Sequence, residues 1–405
     1  VSRGTSDRSR GLWLFAGSKT ALQCTVIAAA ELWALSFFLL VVALDRRRAV
    51  VGLLGFPFAL QTSLYIGLYP SMFGTALGLA AIALWVRPGA RRVLDHGAIA
   101  LLLVLAAFCH VIAAALAALV VVAAAAAAPG ARVRRVALVV LAGIPAATIA
   151  VLASDASVAA TSSALWFDDV VDRVVFVERA FQPPNIVRPL AALALCVAGI
   201  VGAARTQRDA RPEERALLAA GVALLLVAMA APANFHGWQL IRERFVPLGT
   251  ALLAAVFPVE RLASRARLVS AAVVAAYVVS SLVWAADVDA EIASGARGAL
   301  AAVGRVQRAP RDWLPIILDV QAGGPHGIEH FEPLIHLGDL YGMELGGVVE
   351  YSQTRLPSLH LAVHKAQPAG NVPPQEMWTE IATASTPEER SARLRSLLSL
   401  ASSRE

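Results

Sequence analysis

The sequence predicts an all-α polytopic membrane protein of about ten transmembrane helices, followed by a small C-terminal extramembrane segment that is α/β or mostly helical. Three observations predict it. Hydrophobic residues make up 58% of the 405 residues, and mean hydropathy is +0.65. Charged residues are only 16%, against about 25% in a soluble domain, which has to cover itself with polar side chains. The apolar residues fall into runs near the length that crosses a bilayer, about 20 residues, and arginine clusters separate the runs.

The crossings are expected at Thr20–Leu44, Ala49–Ile66, Ser71–Val86, Leu94–Cys109, Val111–Ala127, Val136–Leu152, Pro189–Ala204, Ala216–Ala231, Phe245–Val259 and Leu268–Ala286. The stretch Leu94–Ala128 decides the count, because its 35 residues are long for one helix and tight for two. Charge arbitrates. With a hairpin there, 16 arginines fall on one side, in the clusters at 45–48, 87–92, 132–135, 205–215 and 259–267, and 5 fall on the other. The positive-inside rule then puts the clusters in the cytoplasm and both termini outside. The domains that follow are an N-terminal tail over 1–19, a transmembrane bundle over 20–286 and a soluble segment over 287–405. Inside the bundle, the outward loop 153–188 carries apolar residues at helical spacing over Trp166–Phe181, so an amphipathic helix is expected flat on the interface. The chain begins at Val1, which fits either a GTG start or a fragment, and the basic tail (Arg3, Arg8, Arg10, Lys19) fits missing upstream sequence.

A formal charge of +6 would suit nucleic acid, but Lys19 and Lys365 are the only lysines and the arginines sit between apolar runs as topology signals. No nucleic-acid partner is expected. The wealth of Ala, Arg and Val fits a GC-rich bacterial genome, and so the inner (cytoplasmic) membrane. The three cysteines, Cys24, Cys109 and Cys196, lie in apolar runs without metal-ligand spacing and read as small core residues. Tyr65, Tyr69, Trp85 and Trp284 sit at expected helix ends, where amphipathic rings favour the interface.

Five features bear on chemistry. The outward loop ANFHGWQLIRERFVPL over Ala233–Leu248 gathers His236, Arg242 and Arg244. Arginines at the mouth of a helical bundle suit an anionic ligand such as a diphosphate, or they reach for lipid headgroups. In QTSLYIGLYPSMFG, over Gln61–Gly74, Gly67, Pro70 and Gly74 interrupt the helix at membrane depth. Irregular backbone there lines a cavity or is buried in protein, and Tyr69 would face such a cavity. His110 stands at the hairpin apex, as a ligand group or a satisfied interfacial histidine. Asp168 and Asp169 are the candidate catalytic carboxylates, and Asp287 and Asp289 form a D-x-D that could hold a divalent metal or simply be a solvated helix end. Finally, His326, His330, His336, His360 and His364 cluster in 39 residues, but Gly323, Gly324, Pro325 and Gly327 disrupt the helical spacing a zinc site would use.

In order and style these features resemble the C-superfamily (GT-C) membrane glycosyltransferases and their bacterial membrane-protein relatives. The resemblance rests on the interrupted helix LYIGLYPSMFGTALGLAAIAL, the hairpin broken at His110, the outward loop with its amphipathic helix, the late loop NFHGWQLIRERFVPL and the segment PLIHLGDLYGMELGGV, and it covers Ala49–Val349. It implies sugar transfer on the outer face from a polyprenyl-phosphate-linked donor, with a divalent metal where transfer is catalysed. Arg242 and Arg244, in an R-F-x-P-like element, would bind the donor phosphate. The family's carboxylate in the first outward loop has no counterpart, since Asp7 is the only acid in residues 1–19. The expectation is therefore either an enzyme whose upstream loop is missing or an inactive relative. A non-catalytic structural membrane protein and a transporter are the alternatives.

Overall fold

The computed structural model describes residues 18–65, 68–88, 93–128, 136–137, 140, 143–144, 148, 210–231, 234–235, 238–239, 242–303, 312–313, 348–349 and 386–402. Chain contacts divide into two compact units, Thr20–Ala285 and a second made of Val1–Lys19 with Ala286–Glu405. The expected crossings Val136–Leu152 and Pro189–Ala204, the surface helix Trp166–Phe181 and the histidine group fall wholly or largely outside the described residues.

The first unit is a helical bundle. Helix α1 (Ser18–Leu44) buries Trp33, Phe37, Leu40, Val41 and Leu44, spaced to fall on one face, and leaves Leu35 and Leu39 exposed on the other. Inward aromatics and outward leucines are what a lipid-facing helix presents. Asp45 ends it and caps a 3-10 turn (Arg46–Arg48), accepting the Arg47 N–H at 2.9 Å.

The chain then departs from the single crossing expected over Ala49–Ile66. It forms three short helices, α2 (Ala49–Gly52), α3 (Gly55–Ala59) and α4 (Thr62–Tyr65). The cause is close approach to α1. A Cβ on Gly55 would lie 2.6 Å from the Ala34 carbonyl oxygen, and one on Gly52 would lie 2.5 Å from the Phe38 ring. Pro57 within α3 removes a further helical donor. Phe58 nonetheless anchors the segment, edge-on to Trp33 and Phe37 at 6.3 and 5.5 Å.

Helix α5 (Tyr69–Val86) starts with Pro70 in its first turn, where a missing N–H costs nothing. Helices α6 (Val93–Cys109) and α7 (Val111–Ala127) part at His110, whose backbone is extended. Both run alongside α5. Trp85 meets His96 edge-on at 5.9 Å near one end. Near the other, a Cβ on Gly74 would lie 3.1 Å from His110 Cβ. Gly78 in turn faces Ala117, 2.5 Å from where its Cβ would be. So α6 runs against α5, α7 runs with it, and residues 93–127 are a hairpin. Gly74 and Gly78 opposite Ala113 and Ala117 form a small-residue seam, the device that brings helices together in lipid.

Helix α8 (Pro212–Ala230) packs on α9 (Arg242–Ala255) through Gly221 and Gly249, each placing its absent Cβ 3.0–3.1 Å from the other's carbonyl oxygen. Between them β1 (Asn234–Phe235) pairs antiparallel with β2 (Trp238–Gln239). A second 3-10 turn (Val259–Arg261) leads into the 40-residue α10 (Ser264–Val303). Among the described residues three stretches are long and apolar enough to cross a membrane, Gln23–Leu44, Tyr69–Val86 and Ser264–Asp287. The chain is an integral membrane protein by this measure. Two of the aromatics expected at the interface are instead packing residues, since Trp85 and Trp284 are buried. Cys24, expected in the core, is exposed.

In the second unit, β3 (Asp312–Trp313) pairs parallel with β4 (Val348–Val349). Helix α11 (Pro387–Ser402) is capped by Thr386, whose hydroxyl accepts the Glu389 N–H at 3.1 Å, and carries an Arg393–Glu389 pair one turn apart.

Candidate functional site

The ends of α5 and α9 define two poles of the bundle. At one, Arg48 is buried to 1% exposure. Its Nε and Nη2 donate to the two oxygens of Glu260 at 2.8 and 2.7 Å, and Nη2 also reaches Glu214 at 3.1 Å. Arg211 pairs with Glu214 at 3.4 Å, and Arg261 lies 3.5 Å from Glu260. These arginines also cap helices. Arg211 donates to the Leu44 carbonyl at the end of α1 and to Val86 at the end of α5, and Arg48 donates to Ala255 at the end of α9. Cations at helix C-termini meet the negative pole of the dipole, and Glu214 in the first turn of α8 meets a positive one. Burial alone would lower the pKa of Arg48, but the Glu260 hydrogen bonds and the charges of Glu214, Glu260 and Asp45 outweigh it and raise it. At the rim, Arg47 holds the Asp45 carboxyl below its usual range through a side-chain hydrogen bond. The four loops at 45–48, 87–88, 210–215 and 259–267 therefore share one end. Their arginines are more than topology signals, because part of the cluster is a buried ionic core. The clue in the sequence was two glutamates, Glu214 and Glu260, set among arginines.

At the opposite pole lies a narrow polar cleft whose walls close to less than the width of a water molecule. Gln61, Ser63, Ser71, Met72, Thr75, Arg244 and Pro247 line it. Ser71 is 15 residues from Val86 along α5, so about 23 Å separate the poles at 1.5 Å per residue. The cleft exists because the chain is interrupted there. Helix α4 ends at Tyr65, Leu68 donates back to the Ser63 carbonyl at 2.8 Å, and α5 starts at Tyr69. Helix α9 contributes Arg244 and Pro247 from its first turns. Nε and Nη1 of Arg244 are screened from solvent. Gln61, Ser63, Ser71 and Thr75 are buried too. The wall thus combines one cation, four neutral hydrogen-bonding side chains and two apolar ones.

His110 lies beside this cleft, in the turn between α6 and α7. Its Cβ packs where a Gly74 side chain would be, one residue from Thr75. Its Nδ1 accepts the Ala113 N–H at 3.3 Å and so caps α7, which leaves Nε2 as the protonated nitrogen of the neutral ring. Burial, reinforced by the positive charge of Arg244, lowers its pKa to about 3. The N-termini of α5, α7 and α9 share this end, and each carries the positive end of its helix dipole. Arg244 and these three helix ends place positive charge on this side of the bundle.

The structure thus brings together three features that the sequence singled out separately: the interrupted segment 61–74, His110 and Arg244. Two details differ from expectation. Pro70 starts α5 rather than unwinding it, and Gly74 lies inside α5 as a close-packing residue. Tyr69 is half-buried against the core beside the cleft lining. Asp168, Asp169 and His236 lie outside the described residues, as do the side chains of Arg242 and Asp289. Asp287 is exposed on α10. Among the described residues no group of three or more His, Cys, Asp or Glu side chains could hold a metal. Sequence reasoning missed Gln61, Ser63, Ser71 and Thr75 as site residues, although the first three stand in the interrupted motif itself. No family model, curated protein or solved structure matches the chain.

Proposed function

We propose that this is a GT-C-like membrane protein of ten crossings whose cleft receives the phosphate of a polyprenyl-phosphate-linked sugar from the outer face, with the arginine-rich pole in the cytoplasm and the C-terminal segment outside. One observation carries this reading: Arg244 lines a cleft together with hydroxyl and amide side chains, at the pole where three helices begin. A guanidinium offers a fork of donors that matches phosphate oxygens, and helix N-termini add to its pull on an anion. Sugar transfer also needs a carboxylate near the phosphate, and Asp168 or Asp169 is the expected source. The transporter alternative requires both poles to open in turn, and the buried Arg48–Glu214–Glu260 core weighs against opening at its end.

Binding tests the reading. Full-length protein in lipid nanodiscs is titrated with a fluorescent polyprenyl monophosphate. A charge-assisted hydrogen bond contributes about 1.5–3 kcal/mol, so Arg244→Ala should weaken binding about ten- to a hundredfold. Arg244→Lys keeps the charge and loses the fork, and should fall between. Equal affinity in wild type and Arg244→Ala would remove the basis for a phosphate site here.

A further inference from the structure

Gln61 is the most deeply buried polar residue of the cleft lining, at 2% exposure. It sits between α3 and α4, after Leu60 has left helical geometry at φ −81°, ψ 49°. Its backbone is used, since its carbonyl accepts the Leu64 N–H at 2.9 Å. Its side chain lines the cleft with Arg244. Among the described residues the Gln61 amide makes no hydrogen bond, and neither do the Ser63 and Ser71 hydroxyls. Only Thr75 spends its hydroxyl within the fold, on the Ser71 carbonyl at 2.9 Å.

The Gln61 amide atoms are not among the polar atoms sealed from solvent without a partner, so the amide opens onto the cleft. A polar group that opens onto a cleft is completed there by water or by a ligand. The surroundings say what that partner is. The first turn of α5 faces the same cleft through Ser71 and Met72, with its positive dipole end, and Arg244 supplies a full positive charge. An oxyanion fits all of these groups.

We propose that Gln61 is a ligand-contacting residue of this cleft, its amide N–H donating to an oxygen of the phosphate group held by Arg244. This rests on the reading of Arg244 given above. It also explains the interrupted path through 49–68. The break at Leu60–Gln61 lets the Gln61 amide and the Ser63 hydroxyl line the cleft together with Ser71 of α5. Arg244 supplies the charge, and Gln61 supplies a neutral donor that orients the group.

The experiment uses full-length protein in nanodiscs with fluorescent polyprenyl monophosphate as the probe and inorganic phosphate as the competitor. Gln61→Leu keeps the volume and removes the donor. It should weaken probe binding about fivefold or more, the size of one neutral hydrogen bond, while the melting temperature of the ligand-free protein stays the same or rises. Gln61→Glu sets a carboxylate facing Arg244 and should weaken binding more than Gln61→Leu does. Displacement of the probe by millimolar inorganic phosphate would mark a free-phosphate site, and resistance would mark a lipid headgroup site. The Gln61 dependence is expected in both cases. Gln61→Leu binding within twofold of wild type, while Arg244→Ala loses affinity, would overturn the role of Gln61 alone. A loss in Gln61→Leu accompanied by an equal drop in ligand-free stability would also overturn it, by making the residue structural. Unchanged binding in Arg244→Ala would remove the phosphate reading beneath it.

Discussion

Neutralising Glu260 isolates the ionic core at the arginine-rich pole. The Glu260 side chain is 4% exposed and takes two hydrogen bonds from Arg48, at 2.8 and 2.7 Å, with Arg261 a further 3.5 Å away. In Glu260→Gln, Arg48 keeps one carboxylate partner, Glu214 at 3.1 Å, and that carboxylate is already shared with Arg211. A buried guanidinium is then under-compensated. Removing one partner of a buried pair costs about 3–5 kcal/mol. The expected loss lies toward the lower figure, because Glu214 and the Ala255 carbonyl remain. Equilibrium unfolding in mixed detergent micelles, followed by tryptophan fluorescence and circular dichroism, would measure it. The paired replacement Arg48→Met with Glu260→Met should recover most of the loss, because apolar groups of similar volume can replace a buried pair at little cost. Glu260→Gln within about 0.5 kcal/mol of wild type, the range of an ordinary surface substitution, would refute the account of this pole as a buried ionic core.

Three further outcomes follow. His110 has a folded pKa of about 3 against 6.5 in the unfolded chain, so the unfolded state binds more protons between those values. Its contribution is complete above pH 6.5 and is lost as pH falls toward 3, with about 2 kcal/mol already lost at pH 5; His110→Asn keeps a cap and should flatten this slope in unfolding curves at pH 7 and 5. Gly55→Val should destabilise by about 1–3 kcal/mol through overpacking, since the obstacle is the Ala34 backbone and cannot swing aside, and the same unfolding assay reads it. Gly78→Leu should part α5 from α7 at the Ala117 contact, loosen the wall that carries Ser71 and Thr75, and lower probe affinity along with stability.

How much of this was legible in the sequence depends on the kind of signal. Long apolar runs declared α1, α5 and the membrane-crossing part of α10, because spanning length and composition are local properties. The hairpin at His110 was readable from charge counting, and an extended, N-capping His110 is the local form it takes. The single crossing over 49–66 was not, because hydropathy does not register that Gly52 and Gly55 are pinned against Phe38 and Ala34. Trp85 was taken for an interfacial ring, since burial by α6 depends on a partner that is not adjacent in sequence. At the site, Arg244 and the interruption at 61–74 stood out as polar or irregular groups in apolar surroundings. Their meeting could not be read, because 170 or more residues separate them and only the packing of α9 on the interrupted segment joins them. Likewise the arginine clusters stood out in the sequence, and only the fold showed Arg48 turned inward to Glu214 and Glu260.

Under the proposed function the two poles face opposite sides of a membrane, one locked by Arg48 and one lined by Arg244. Paired cysteine labelling tests this most directly. In a background without Cys24, Cys109 and Cys196, single cysteines replace Arg47 at the ionic pole and Pro70 at the cleft pole, both exposed positions. A membrane-impermeant thiol reagent is applied to intact cells and to inverted membrane vesicles. The account predicts that Pro70→Cys labels in intact cells and Arg47→Cys labels only in inverted vesicles. Labelling of both positions from the same side would contradict it.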